Sequence, residues 1–313
     1  MSELYNVTSS PHIRAKDSTQ RIMLYVIIAL LPATVFGIIN FGPRALAVVV
    51  VSIASCLVSE YLYNKIAHKK QTIGDLSCVV TGLLLGLNLS HTVPFFIPII
   101  GGAFAIVVVK MIFGGLGQNF MNPALGARCF LLLAFTGPMT SFTFDGVSGA
   151  TPLAVIKDGA LYSDTMAMFT GRIAGTIGET SVIALLIGAI FLILLGVIDL
   201  RIPGTYIITF VIFILLFGGH LGSGDLGQFV VQEVCGGGLI LGAFFMATDY
   251  VTSPITPKGK IIYGIICGCL LGIFRMFGAS AEGCSYSIIF ANMLVPLIER
   301  FTIPKPFGKG GEK

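Results

Sequence analysis

The stretch Asp145-Gly146-Val147-Ser148-Gly149-Ala150-Thr151, followed by Pro152-Leu153, holds two hydroxyls among small residues with an acid upstream. Gly149 admits a tight or extended turn, and small Ser148 and Ala150 leave both hydroxyls open to approach. Taken alone, the turn is compatible with an ordinary surface loop. A second group lies where apolar segments break: Asn88, Thr92, Asn119, Asn122, Thr248 and Asp249. Asp249, Thr248, Asn88 and Thr92 offer oxygens that a cation such as Na⁺ accepts at a helix break, whereas H⁺ needs one titratable group. Asn119 and Asn122 sit beside Gly114, Gly115 and Gly117. They either line a cation or flavin path or satisfy backbone groups at a broken helix. No residue stands out as a catalyst. The seven cysteines form no CxxC pair, and most lie in or beside apolar runs, where a thiol behaves as a small hydrophobe.

The elements that carry these residues belong to a membrane. Of 313 residues, 55% are hydrophobic and 11% charged, with a mean hydropathy of +0.93. A soluble domain is roughly a quarter charged. The first 21 residues are polar and lack the pattern of a removed signal peptide. Long apolar runs fall at 22–39, 44–63, 95–113, 181–198, 205–217 and 260–277, and weaker ones at 76–90, 120–137, 234–250 and 285–298. If each crosses about 30 Å of hydrocarbon, the chain is an all-α polytopic protein of ten transmembrane helices. Lys and Arg then concentrate on the side of both termini. This predicts cytoplasmic ends, a multi-pass inner-membrane location and an extracytoplasmic loop at 138–180. Nothing points to nucleic acid. Asp75 caps the run at 76–90. Glu60 and Glu233 fall at predicted helix ends, where they can as easily face water.

Gly82–Gly86 and Gly238–Gly242 share a Gly-x₃-Gly spacing. Each is followed by a polar or proline break and then by a strong apolar run ending in Phe-Gly. The match predicts two five-helix repeats, 22–137 and 181–298. They flank the loop, with a segment 1–21 before and a tail 299–313 after. An odd number of spans puts the repeats in opposite orientations, with interrupted helices around a central site.

The DGVSGAT turn, with DLSCVVTGLLLGLNL (75–89), FGGLGQNFMNPALGARCFLL (113–132), GRIAGTIGETS (171–181) and GAFFMATDYVTSPITPKGKIIYG (242–264), resembles the RnfD/NqrB family of membrane subunits. The resemblance runs from about residue 15 to 300. It implies a fold similar to urea and ammonium channels. It also implies FMN joined to Thr151 by a phosphodiester bond that a flavin transferase makes, with Asp145, Ser148, Gly149 and Ala150 as the surrounding motif. A second, noncovalent flavin (riboflavin or FMN) is a further implication. The start of the first apolar run near residue 22 favours the RnfD type over the NqrB type. The implied role is an electron carrier between ferredoxin and NAD, both contacted through partner subunits of an Rnf complex, coupled to Na⁺ or H⁺ movement. Any enzymatic activity then belongs to the assembled complex. The alternatives are an NqrB-like component of a sodium-pumping NADH:quinone reductase, a non-redox solute channel of similar fold, or a scaffold for other subunits.

Overall fold

Apolar runs without internal breaks become long helices, and glycine, asparagine and proline cut the others short. The computed structural model describes residues 18–144, 147–149, 151–158, 161–162, 164–218, 225–278 and 282–304. α1 (Thr19–Phe41) starts at Ser18, whose hydroxyl accepts from the Arg21 N–H, and stops at Gly42 (φ 78°). Pro43 opens α2 (Pro43–Ile66), a position where its missing N–H costs no helical bond. α3 (Ser77–Leu87) follows Asp75, whose carboxylate accepts from the Ser77 N–H (2.8 Å) and Oγ (2.6 Å).

α4 (Phe96–Met111) passes from α- to π-helix at Phe104. A turn with positive φ at Gly114, Gly115 and Gly117 leads to α5 (Pro123–Ala134) and α6 (Thr136–Thr140). A two-stranded antiparallel hairpin follows, β1 (Thr143–Phe144) with β2 (Val147–Ser148), Thr143 opposite Ser148. Next come α7 (Pro152–Lys157), α8 (Thr165–Thr170), α9 (Val182–Leu194) and α10 (Arg201–Phe217). α11 (Leu226–Cys235), α12 (Leu239–Met246), α13 (Pro257–Phe277) and α14 (Cys284–Thr302) complete the described chain.

α2 packs on α3 and α4, α1 on α9, and α13 on α10 and α14, while α5 joins α3, α4 and α14. The surface is apolar: Leu194, Ile66, Leu133 and Ile39 are each at least 76% exposed, while Glu60, Lys110, Arg128 and Arg275 are at most 4% exposed. Apolar outside with ions inside is the inverse of a water-soluble domain. It makes the chain a multi-pass membrane protein.

The expected ten spans in two inverted five-helix repeats do not appear. Three helices are long and apolar enough to cross a membrane, α1, α2 and α13. The bent pair α11–α12 raises this to four at most among the described residues. α3, α4, α5, α9 and α10 are shorter apolar helices. Asn88 ends α3, Asn122-Pro123 delays the start of α5, and Gly236–Gly238 interrupts the run at 234–250. α14 has 19 residues, but Asn292, Pro296, Glu299 and Arg300 dilute its hydropathy. The two Gly-x₃-Gly segments are also not equivalent. Gly82 and Gly86 lie in one uninterrupted helix against α2, whereas Gly238 lies in the break of a pair bent by 57° and Gly242, after it, faces Cys284. A local glycine spacing therefore did not carry a global repeat.

Close helix contact depends on small residues. A Cβ at Gly188 in α9 would stand 2.0 Å from the Ala29 carbonyl oxygen in α1. Gly188→Ala must push the two backbones apart. It should destabilise the chain by roughly 1–3 kcal/mol, read as a lower midpoint of unfolding in detergent. A wild-type midpoint would show that α1 and α9 are not in contact there.

Candidate functional site

Thr151 caps α7: its Oγ1 accepts from the Ala154 N–H at 3.4 Å, and Pro152 takes the first helical position. The hairpin before it is tied at Thr143, whose hydroxyl bonds His91 Nε2 (3.2 Å), and at Gly149, whose N–H donates to the Phe142 carbonyl (3.3 Å). Gly149 is exposed, and nothing lies within 4 Å of where a Cβ would stand. Ser148 is the last residue of β2, and Asp145 and Ala150 lie outside the described residues. Thr151 opens onto a recess with a cavity volume of about 20 Å³, lined also by Leu153, Thr180, Gly237, Glu179 and Glu282.

The second feature is a buried ion cluster behind this hairpin recess. Arg128 on α5 donates to Asn88 Oδ1 (2.5 Å), Glu179 Oε1 (2.7 Å) and Glu282 Oε2 (2.6 Å). Gly238 stands against Glu179. A Cβ there would be 2.3 Å from Oε1, and its φ of 69° suits glycine. Burial raises the Glu282 carboxyl above its ordinary range, against the lowering pull of Arg128. Arg275 holds the neighbouring turn: it pairs with Glu233 (2.9 Å) and donates to the Gly236 carbonyl (2.8 Å).

The third feature is a larger recess, with a cavity volume of about 90 Å³, whose lining includes Asn119, Asn122, Thr248, Asp249, Phe244 and Lys110. Asn122 does two jobs. Its Oδ1 accepts from the Ala124 and Leu125 N–H groups, and its Nδ2 donates to the Met246 carbonyl (3.3 Å). Asn119 donates to the Met121 carbonyl (3.0 Å). These amides do satisfy backbone at a break, and they also line a space. Asp249 accepts from Thr252 Oγ1 (3.1 Å) and the Val251 N–H (3.4 Å), and desolvation holds its carboxyl above the usual range. Beside this recess Lys110, 2% exposed, pairs with Glu60 (2.7 Å) and donates to Ser77 Oγ (2.6 Å). Thr72 donates to the other Glu60 oxygen (2.5 Å).

Asn119, Asn122, Thr248 and Asp249 thus share one recess. Asn88 lies between the two recesses, and Thr92 is elsewhere: its hydroxyl donates to the Ser141 carbonyl (3.1 Å), near the hairpin. The water-facing option for Glu60 and Glu233 is corrected, since both are buried and ion-paired. Sequence reasoning missed Glu179 and Glu282 as site residues. The available signal was the presence of Lys110, Arg128 and Arg275 within apolar runs, each of which needs an anionic partner. Of the cysteines, Cys269 is half-buried and the others are buried, all as free thiols.

The fold and these side chains define the class as a multi-pass helical membrane protein with buried ion pairs. Sequence comparison makes this specific: residues 6–308 match the NQR2, RnfD, RnfE family, and the chain belongs to it. It is 49% identical to the D subunit of the Na⁺-translocating ferredoxin:NAD⁺ oxidoreductase complex of Acetobacterium woodii, over 98% of this chain and 97% of that one. It is 41% identical to the D subunit of the proton-translocating ferredoxin:NAD⁺ oxidoreductase complex of Clostridium ljungdahlii, over 97% and 96%. The D subunit of an ion-translocating oxidoreductase complex of Methanosarcina acetivorans is 35% identical, over 97% of both chains.

Proposed function

We propose that this chain is the D subunit of an Rnf-type complex and carries electrons on FMN esterified to Thr151. The observation behind this reading is end-to-end similarity to the D subunits of such complexes, joined to a half-buried Thr151 that follows the hairpin and caps α7. In maturation, Thr151 Oγ displaces AMP from the FMN phosphorus of FAD. One P–O bond forms, one pyrophosphate bond breaks, and the hydroxyl proton is lost. A small turn gives the transferase access. The recess beside Thr151, with a cavity volume of about 20 Å³, suits an attachment point rather than a housing for the whole ring system. When bound, FMN supplies the electron-transfer chemistry; this chain supplies position and a tether that keeps the carrier close to its partners.

The same reading places ferredoxin and NAD on partner subunits and couples electron flow to Na⁺ or H⁺ movement. Relatives of both ion types are similar to this chain, so similarity does not choose the ion. Asp249, Thr248, Asn119 and Asn122 line the ion path at the larger recess. Apolar walls such as Phe244, with these polar groups beside them, also fit a second, noncovalent flavin. On this reading both termini are cytoplasmic and residues 138–180 lie outside.

The direct test is mass analysis of the peptide spanning residues 145–157 after co-expression with the flavin transferase. The expected result is that peptide plus one FMN less one water, with the added mass on Thr151. An unmodified peptide under conditions that flavinylate a known substrate would refute the assignment.

A further inference from the structure

The hairpin that leads to Thr151 is seated on one short turn. Thr92 donates its hydroxyl to the Ser141 carbonyl (3.1 Å), and His91 Nε2 meets the Thr143 hydroxyl (3.2 Å). The turn is held in its place by the elbow between α1 and α2. The His91 ring stacks on Phe41, with centroids 4.7 Å apart and planes at 19°, and Arg44 donates to the Thr92 carbonyl (3.0 Å).

His91 is the member of this seat that titrates near neutrality. Its Nδ1 is buried with no hydrogen-bond partner among the described residues. The tautomer that fits carries its proton on Nε2 and donates it to Thr143, which leaves Nδ1 as a bare acceptor. The other tautomer would bury an N–H with nothing to receive it. Protonation creates that same buried N–H and adds a charge. Around the ring the hairpin presents the Thr143 hydroxyl, α1 the Phe41 ring and α2 the Arg44 guanidinium. The charged neighbour is thus of like sign. Burial, and then Arg44, hold the imidazole below its ordinary range.

We propose that His91 is a pH-sensitive clasp: neutral, it seats the hairpin on the α1–α2 elbow, and protonated, it releases the hairpin, so that acid on this face frees the segment leading to Thr151. The seated ring binds a proton less readily than the released one. Seating is therefore full above about pH 6.5 and weakens as the pH falls below it. The clasp would make the reach of a carrier on Thr151 depend on the acidity of the compartment it faces. That consequence rests on the carrier reading, whereas the clasp itself does not.

The test is hydrogen exchange, read by mass spectrometry, in the full-length chain in nanodiscs, corrected for the intrinsic effect of pH on exchange. The peptide to follow carries the Gly149 N–H, which is bonded to the Phe142 carbonyl. A two-stranded hairpin has little stability of its own, so loss of its seat opens this bond. Protection of the peptide in the wild type should fall at least about threefold between about pH 7.5 and about pH 5. His91→Gln keeps an N–H donor that does not titrate, and should show no such fall. Thr143→Val removes the acceptor and should show the low protection at both pH values. No fall in the wild type, or an equal fall in His91→Gln, overturns the clasp. If His91→Gln does not elute as a single species, Thr143→Val decides, and wild-type protection with a wild-type fall in that variant overturns it as well. Neither readout needs FMN, so the clasp and the carrier reading fail separately.

Discussion

Thr151→Val should abolish the flavin fluorescence of this chain on a denaturing gel and stop ferredoxin-linked NAD reduction by the assembled complex. Valine keeps the β-branched shape and removes the one atom that forms the ester. The substitution also removes the bond from the Ala154 N–H that caps α7. Loss of such a cap costs about 1 kcal/mol, too little to explain a complete loss of flavin by unfolding. Two companions separate attachment from recognition. Thr151→Ser keeps a hydroxyl at the same position and should retain fluorescence. Ser148→Ala leaves Thr151 in place and should retain it as well. Fluorescence that survives in Thr151→Val and disappears in Ser148→Ala would move the ester to Ser148. Full activity in a flavin-free variant would end the electron-carrier reading and favour a scaffold.

Breaking the ion pair under the larger recess should have the largest effect on stability. Lys110→Met leaves Glu60, which is 0% exposed, with the Thr72 hydroxyl but without its cation. Removing one partner of a buried pair costs roughly 3–5 kcal/mol because the other charge stays buried. The variant should therefore unfold at a markedly lower denaturant or temperature midpoint in detergent. Adding Glu60→Gln to Lys110→Met removes the orphaned charge and should recover most of that loss. This asymmetry between the single and double variants is the signature of a desolvated pair. Equal midpoints for wild type and Lys110→Met would mean that Glu60 reaches water, contrary to its burial here.

Much of this architecture was legible in the chain itself. Few charges and long apolar runs force a membrane protein, because such a surface cannot be hydrated and a spanning backbone must bond to itself. Helix ends were legible where a local bond fixes them, as at Asp75 before α3 and Asn122-Pro123 before α5. Local chemistry also singled out the hydroxyl turn at 145–151, because Gly149 and its small neighbours act within a few residues. The number of spans was not legible in this way. Hydropathy sums a window and does not register where Asn88 or Gly236–Gly238 interrupts a helix.

The partners of the buried charges were settled by tertiary structure alone. Glu60 and Lys110 are 50 residues apart, and Arg128 meets Glu282 across 154. No short-range pattern encodes such a meeting, since a charge in an apolar segment requires a partner without specifying which one. The sequence determined that Lys110 and Arg128, set in apolar runs, needed partners, and that Thr151 closed a turn of small residues. The packing of α5 and α14 with the 171–181 loop decided that Arg128 would meet Glu179 and Glu282 beside the recess that opens at Thr151.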